Sequence, residues 1–545
     1  MGEPRPMLVA FDEGPAALDT VRRELTQRYG HDYAVLVAPI QEASFELERL
    51  ADDGRDVVIV LAGARSHADA VAVLSEARRW FPASKRCLVL DWGDRSAADV
   101  LLRASDAGDL HYWVPRPWAS PDESFHQVIS EFLGDWSRTH RPPYEVVRLV
   151  GPSWDPATHD LRDMLTRNSV PFGFIEAGTD EANVLLASAG VDADRLPVAV
   201  LFDGRVLVQP TGAEIGAAFG IATSAPEGVF DVAIVGAGPA GLAAAVYGAS
   251  EGLRTACVEH HAIGGQAGTS SLIRNYLGFP RGVGGADLAQ RAYEQAWLFG
   301  TEFVYSSAVG LDLSGGTPSL ALQDGSSLAA RAVVIATGMS YRMLEAPGLD
   351  RLRGAGVYYG AASSEATAVA GQDVAGVGGG NSAGQAASFL SSHARQVTLL
   401  VRDTSLAESM SEYLVRTLAT TPNIEVRFGS EVVGARGGVR LESLVVRDRS
   451  SGDEASLSVA AAFILIGAAP RTAWLPADVA RDRWGSILTG ADVDDSGVRP
   501  SLASSVPGVF AVGDVRHGSV KRVASAVGEG SVAIGSVHEF LAVAP

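Results

Sequence analysis

Cysteine is almost absent: Cys87 and Cys257 are the only two in 545 residues, and no CxxC pair occurs. Each lies inside an apolar strand-like run, CLVL or RTACVEH. The sequence therefore offers no structural zinc site, no disulfide framework and no thiol redox pair, and no metal site is expected. No apolar run reaches the ~18 residues that a bilayer-spanning helix needs, and the opening MGEPRPML contains no signal-peptide core. A cytoplasmic protein is expected. Positive charge is in deficit, with 44 Lys and Arg against 64 Asp and Glu and a formal net charge of −20. Such a surface repels a nucleic-acid backbone or an anionic membrane, so neither is expected as a partner.

What is present is glycine in ordered places. Residues 230–241, FDVAIVGAGPAG, run from an apolar strand through a glycine turn into the helical stretch 242–249. Gly236 permits the turn and Gly238 lets the backbone approach a pyrophosphate. Gly241, after Pro239 and Ala240, lets the helix pack closely on the strand. The free N–H groups and positive dipole end of that helix face the phosphates. After a second apolar run, 254–258, Glu259 stands where a carboxylate accepts from an adenosine ribose hydroxyl. A second glycine turn, 376–383, follows the apolar DVAGV and leads into the helix 383–391, so the same argument applies to Gly378, Gly380, Asn381, Ser382 and Ala383. Beyond the next strand, QVTLLV, Arg402 leans the reading toward the 2′-phosphate of NADPH, with NADH left open.

A chain of this length implies about three to four domains. The expected fold class is α/β multidomain: a receiver-like doubly wound α/β domain over 1–140, a thioredoxin-like domain over 144–223, an FAD-binding Rossmann-like domain over 228–341 and 467–545, and an NAD(P)H-binding one over 342–466. In the first, strand-like runs (MLVAF, DVVIVL, RCLVLDW, HYWVP) alternate with helical stretches such as 16–28 and 67–79. The order of features resembles the receiver domain of bacterial response regulators, and Asp12-Glu13 matches its acidic pair. The phospho-accepting aspartate is missing, since only Leu61, Ala62 or Gly63 stands in its place. Leu90-Asp91 stands where a hydroxyl belongs, and Arg116 replaces the lysine. The domain reads as a degenerate receiver kept for docking or dimerisation.

After the hydrophilic stretch 137–145, a strand VVRLVG, a helix 159–168, a strand VPFGFIE and a hairpin turned at Asp203-Gly204 follow. They resemble the thioredoxin or glutaredoxin fold. Pro197 matches its active-site proline, a candidate cis peptide. The place of the CxxC holds Asp155-Pro156-Ala157-Thr158, which cannot exchange disulfides because that chemistry needs a thiolate. A binding platform is expected.

After the linker 223–228, the chain resembles the low-molecular-weight thioredoxin reductase family and its flavin-dependent relatives. The resemblance rests on the glycine turns, on Gly264-Gly265-Gln266, on IRNYLGFP (273–280), on Ala336-Thr337-Gly338, on VFAVGD (509–514) and on Arg522-Val523-Ala524. It implies FAD, with Gly265 and Gln266 wrapping the flavin diphosphate and ring, and Asn275 and Tyr276 near the isoalloxazine. Thr337 and Gly338 would mark the return to the second domain, while Gly513 and Asp514 reach the ribityl chain or diphosphate. Arg522, Val523 and Ala524 would lie at the pyrimidine edge. It also implies a nicotinamide nucleotide, a homodimer, and rotation of the nucleotide domain about hinges near 338–342 and 467–471. The family's cysteine pair would fall at Gly360 and Ser363, or at Ala361 and Ser364, and neither choice contains sulfur.

The expected activity is thus FAD-dependent NAD(P)H oxidation with electrons leaving the flavin directly for an unidentified acceptor, a protein carrier or a small molecule. No residue stands out as an essential acid or base. Asn275, Tyr276, Lys521 and Arg522 are candidates for shaping the flavin environment, and His517 is a candidate proton donor. Two alternatives stay open: a redox-responsive interaction protein, and a thioredoxin-disulfide reductase that uses thiols of a partner chain.

Overall fold

Five short apolar strands, each followed by a helix, build the N-terminal part of the computed structural model. The structure describes residues 5–91, 94, 96–106, 108–117, 120–139, 145–168, 170–270, 273–279, 282–360, 369–493 and 499–543. It forms two compact units, Met1–Tyr144 and Glu145–Pro545. In the first, β1 (Met7–Asp12), β2 (Ala34–Pro39), β3 (Val57–Ala62), β4 (Lys85–Leu90) and β5 (Tyr112–Pro115) form a parallel sheet in the order β2-β1-β3-β4-β5. That order is the flavodoxin-like one. β1 and β3 are buried along their whole length, because a parallel sheet is covered by helices on both faces. The helices are α1 (Pro15–Tyr29), α2 (Ala43–Asp52), α3 (His67–Trp80), α4 (Ala98–Asp106) and α5 (Glu123–Thr139).

At the strand ends, Arg116 pairs with Asp12 and also donates to Asp91 at 2.7 Å. Leu61 and Ala62 are buried in the core, and a Cβ on Gly63 would run into the Asp12 carboxylate. The position after β3 therefore has no room for a side chain while the Asp12–Arg116 pair is in place. Residues 140–144 of the hydrophilic stretch lie outside the described residues.

The second unit begins with a four-stranded sheet in the order β7-β6-β8-β9, built from β6 (Val147–Gly151), β7 (Phe172–Glu176), β8 (Val198–Leu201) and β9 (Val206–Val208). β6 pairs parallel with β7 and antiparallel with β8, and β8 and β9 form the hairpin, with Gly204 at φ 87° in its turn. The Leu196–Pro197 peptide is cis. Three helices accompany the sheet: α6 (Pro156–Arg167), α7 (Asp180–Ala189) and α8 (Gly212–Ala218). Asp155 is the N-cap of α6 and accepts from the Thr158 N–H at 2.8 Å and the Thr158 hydroxyl at 2.9 Å. Asp155 and Thr158, where the resemblance would have put cysteines, thus bond to each other as a helix cap.

The next sheet has the order β12-β11-β10-β15-β14-β13, from β10 (Val229–Val235), β11 (Thr255–Glu259), β12 (Glu302–Tyr305), β13 (Ala308–Asp312), β14 (Ser319–Leu322) and β15 (Ser327–Ile335). Helices α9 (Pro239–Ser250) and α10 (Gly285–Leu298) follow β10 and β11. At Thr337 the chain leaves through β16 (Met339–Tyr341) into a second parallel sheet, β17-β24-β18-β19-β20, made of β17 (Val357–Tyr359), β18 (Asp373–Val377), β19 (Gln396–Leu400), β20 (Ile424–Arg427) and β24 (Ala461–Ile464). Helices α11 (Asn381–Ser391) and α12 (Glu412–Thr420) belong to it, as does an antiparallel meander of β21 (Ser430–Arg436), β22 (Ser443–Asp448) and β23 (Glu454–Ser458). The chain returns through β25 (Ala468–Pro470), which pairs antiparallel with β16. The segments 338–342 and 467–471 thus largely make up a two-stranded ribbon between the domains.

β26 (Val509–Ala511) then adds to β15, and α13 (Val523–Val543) packs on α9. The two helices touch at backbone level: a Cβ on Gly530 would strike the Ala240 carbonyl and come within 3.0 Å of Ala243 Cβ. Small residues are needed here because both helix N-termini must reach the same place. Gly530→Val should therefore destabilise the protein by roughly 1–3 kcal/mol, measured by urea unfolding. A wild-type midpoint would contradict this packing.

Candidate functional site

Gly236 ends β10 at φ 105°, and a Cβ there would lie 2.5 Å from the Ala336 carbonyl. A Cβ on Gly241 would overlap the Gly236 carbonyl itself. Only hydrogen fits at either position, because α9 crosses directly over the β10 and β15 strand ends. Gly238 differs. It is the N-cap of α9 in extended conformation, Pro239 follows at N1, and a Cβ at Gly238 would meet nothing nearer than Gly265 Cα at 4.0 Å. The space in front of it is open and faces the free N–H groups of the helix, as a diphosphate requires. Gly513, at φ 73°, closes against the same helix, with its would-be Cβ 3.0 Å from Ala240 Cβ.

Glu259, at the end of β11, is buried. It accepts from the N–H groups of Ala237 at 2.8 Å and of His260 and His261 at 2.9 Å, and pairs with His260 Nδ1 at 3.0 Å. Burial opposes ionisation, yet the His260 contact and the backbone donors bring its carboxyl down to about 2. The carboxylate is ionised and locked at the edge of the first cradle.

Further along the chain, Gln266 donates to the Met339 carbonyl at 2.7 Å and ties the glycine loop to the inter-domain ribbon. Thr337 donates to the Arg471 carbonyl at 3.0 Å, and Gly338 turns the chain at φ 61°. Asn275 is exposed, and Tyr276 packs on Phe279 with ring centroids 5.9 Å apart. Pro280 lies outside the described residues. Burial holds the Asp514 carboxyl above its ordinary range, with Lys521 pulling the other way. Arg522 precedes α13, and Val523 and Ala524 form its first turn. His517 Nδ1 is tethered to Asp482 Oδ2 at 2.9 Å.

These features fit an FAD: a glycine cradle with open space before a helix N-terminus, a locked carboxylate at its edge and a second, partly buried carboxylate, Asp514, next to Gly513, which closes against the same helix. The neighbourhood also contains residues that no local pattern announced. Arg471 hydrogen-bonds His260, and Tyr305 donates to the His261 carbonyl at 2.9 Å. Arg167 and Asn168 arrive from the end of α6, about a hundred residues away in the chain.

The second cradle repeats the plan. A Cβ on Gly378, at φ 145°, would strike the Leu465 carbonyl, while one on Gly380, the N-cap of α11, would meet only the Ser409 carbonyl at 3.8 Å. Asn381 accepts from the Ser411 N–H at 2.7 Å, Ser382 is exposed, and Ala383 is buried against the strand. Arg402 is exposed beyond β19. Arg449, from the β22–β23 turn, donates to the Arg402 carbonyl at 3.1 Å and brings a second cation to this edge. The segment that would carry the cysteine pair follows β17. Gly360 is buried, and its Cβ would come 3.0 Å from the Tyr341 hydroxyl, while Ala361, Ser363 and Ser364 lie outside the described residues.

Two such cradles joined by a ribbon make the chain an FAD-dependent pyridine nucleotide oxidoreductase by class. Residues 230–530 match the family described as pyridine nucleotide-disulphide oxidoreductase, and the chain belongs to that family, on its thioredoxin reductase-like side. It is 32% identical over 323 residues to the thioredoxin reductase of Peptoclostridium acidaminophilum, covering 58% of this chain and 98% of that one. It is 32% identical over 319 residues to one of the subunits of Escherichia coli alkyl hydroperoxide reductase, covering 57% of this chain and 58% of the relative. The Lactococcus lactis thioredoxin reductase in its FR conformation superposes with a TM-score of 0.51 at 27% identity, over 57% of this chain and 99% of that one.

The two glycines that look alike in sequence should behave oppositely. Gly238→Val is expected to fold, with an unchanged far-UV spectrum, but to purify without flavin, whereas Gly241→Val should not fold; a yellow Gly238→Val protein would refute the cradle. For Glu259, whose carboxyl is depressed in the folded state, the stabilisation is complete above the ordinary carboxylate range near pH 4.5 and disappears as pH falls toward 2. Glu259→Gln should cost on the order of 3 kcal/mol at pH 7, and its deficit should shrink over that window in acid-unfolding curves.

Proposed function

We propose that the protein is an NADPH-oxidising flavoenzyme that hands electrons to an external acceptor, a carrier protein or a small molecule, without a dithiol relay in the same chain. The observation that carries this reading is the coexistence of two complete nucleotide cradles with no available thiol. Both cysteines are fully buried; burial pushes Cys87 up to about 12, and burial beside Glu259 pushes Cys257 higher still. Bound FAD supplies the redox chemistry, taking a hydride from reduced nicotinamide and releasing electrons to the acceptor. The chain's own residues bind and orient. The α9 N-terminus and Gly238 receive the diphosphate, Glu259 holds the ribose hydroxyls, and Arg402 with Arg449 neutralises a 2′-phosphate. Asp482 fixes the His517 ring as a proton donor. Exposed Trp297, Leu298 and Phe299 at the end of α10 support a homodimer.

A second reading, a redox-responsive interaction protein, is favoured by one observation. Helix α6 touches both nucleotide domains, so their relative rotation must break one of its contacts. Repeated turnover with an acceptor supports the enzyme, and a single slow reduction without turnover supports the switch.

Anaerobic mixing of the yellow protein with NADPH, then with NADH, should bleach the flavin absorbance, and carriers, quinone, disulfide and dioxygen should be compared for reoxidation. No bleaching with either nucleotide would end the enzyme reading. Replacing Arg402 and Arg449 together by Ala should raise KM for NADPH about tenfold and leave that for NADH unchanged.

A further inference from the structure

Residues 159, 163 and 167 of α6 recur every fourth position and so share one helix face. That face bridges the two nucleotide domains. His159 lies against the second domain, with its ring 5.6 Å from that of Tyr358 and its Cβ 3.0 Å from where a Cβ on Gly354 would stand. Asp163 accepts from, or pairs with, His261 Nε2 at 3.0 Å in the first domain. One turn further, Arg167 Nη2 donates to the Gly265 carbonyl at 2.9 Å, and Asn168 both donates to the His261 carbonyl and accepts from the Ile263 N–H at 3.2 Å.

We propose that Arg167 is a residue of the FAD site, contributed by the end of α6, and that its guanidinium neutralises the cofactor's diphosphate. The inference rests on the FAD reading above. Its position follows from Gly265, the residue to which it is anchored, whose Cα lies 4.0 Å from a Cβ on Gly238 where the diphosphate approaches. Its charge is under-compensated. The side chain is only 17% exposed, its one anionic contact among the described residues is Asp163 at 3.4 Å, and that carboxylate is shared with His261. Its Nε is buried with no hydrogen-bond partner among the described residues. A guanidinium offers five donors, and burying one without acceptors is costly unless an anion is brought to it. Arg471 stands close enough that Arg167 joins burial in depressing its ionisation. Two guanidiniums and His260 around a cradle whose acids are already engaged describe the surroundings of a phosphate group, with Arg the residue suited to grip it.

The test compares full-length wild type, Arg167→Gln, Arg167→Lys and Asn168→Ala, each stripped of flavin and matched for thermal unfolding before use. FAD binding is followed by flavin fluorescence across a salt series, and ADP and adenosine are used as competitors. Arg167→Gln should raise the FAD Kd about tenfold or more and flatten its dependence on salt. It should weaken competition by ADP but not by adenosine. Arg167→Lys and Asn168→Ala, which keep the charge, should retain the wild-type salt slope. A wild-type Kd and slope in Arg167→Gln overturns the inference, as does an equal flattening in Asn168→Ala. Should Arg167→Gln not fold, loss of the salt slope in Arg167→Lys overturns it. A wild type that binds no FAD ends the FAD reading and this inference together, whereas a yellow wild type with an unaffected Arg167→Gln ends this inference alone.

Discussion

The close approach of α9 to the end of β10 is the constraint on which the rest of the second unit depends. Three groups meet there with no space for a carbon atom: the Gly236 carbonyl, the hydrogen side of Gly241 and the backbone at Ala336. Because the helix lies this near the strand, its N-terminal N–H groups point into the gap beside Gly238. The same closeness brings α13 onto α9 through Gly530 and sets Gly513 against Ala240. The cradle, the aspartate after Gly513 and the start of α13 are therefore one mechanical assembly. The second domain repeats the crossing with Gly378 against Leu465.

The polar side chains at the strand ends of the first unit and at the start of α6 are engaged in contacts that hold structure. Arg116 pairs with Asp12 and leaves no room above Gly63, while Asp155 and Thr158 cap a helix with each other. Helix α6, so capped, then serves as a bridge. Trp154 lies under Arg440, the His159 ring packs at a tilt against Tyr358, and Arg167 reaches the glycine loop of the first cradle. Helix α6 thus touches both domains that carry glycine cradles.

Strand, glycine turn and helix are local in sequence, and steric requirements at Gly236, Gly241 and Gly378 hold whatever lies around them, so both cradles were legible from residue order. Glu259 was legible for the same reason, since β11 must end beside the turn. The absence of a CxxC pair was legible in the sequence, whereas the burial that withholds Cys87 and Cys257 was decided by the fold. What only the tertiary structure decided were encounters between distant segments: Arg449 joining Arg402, Arg471 joining His260, Asp482 tethering His517, and Arg167 joining Gly265. These rest on long side chains crossing from one element to another. Such contacts leave no periodicity or spacing in a sequence, because their geometry exists only once the sheets and helices have packed.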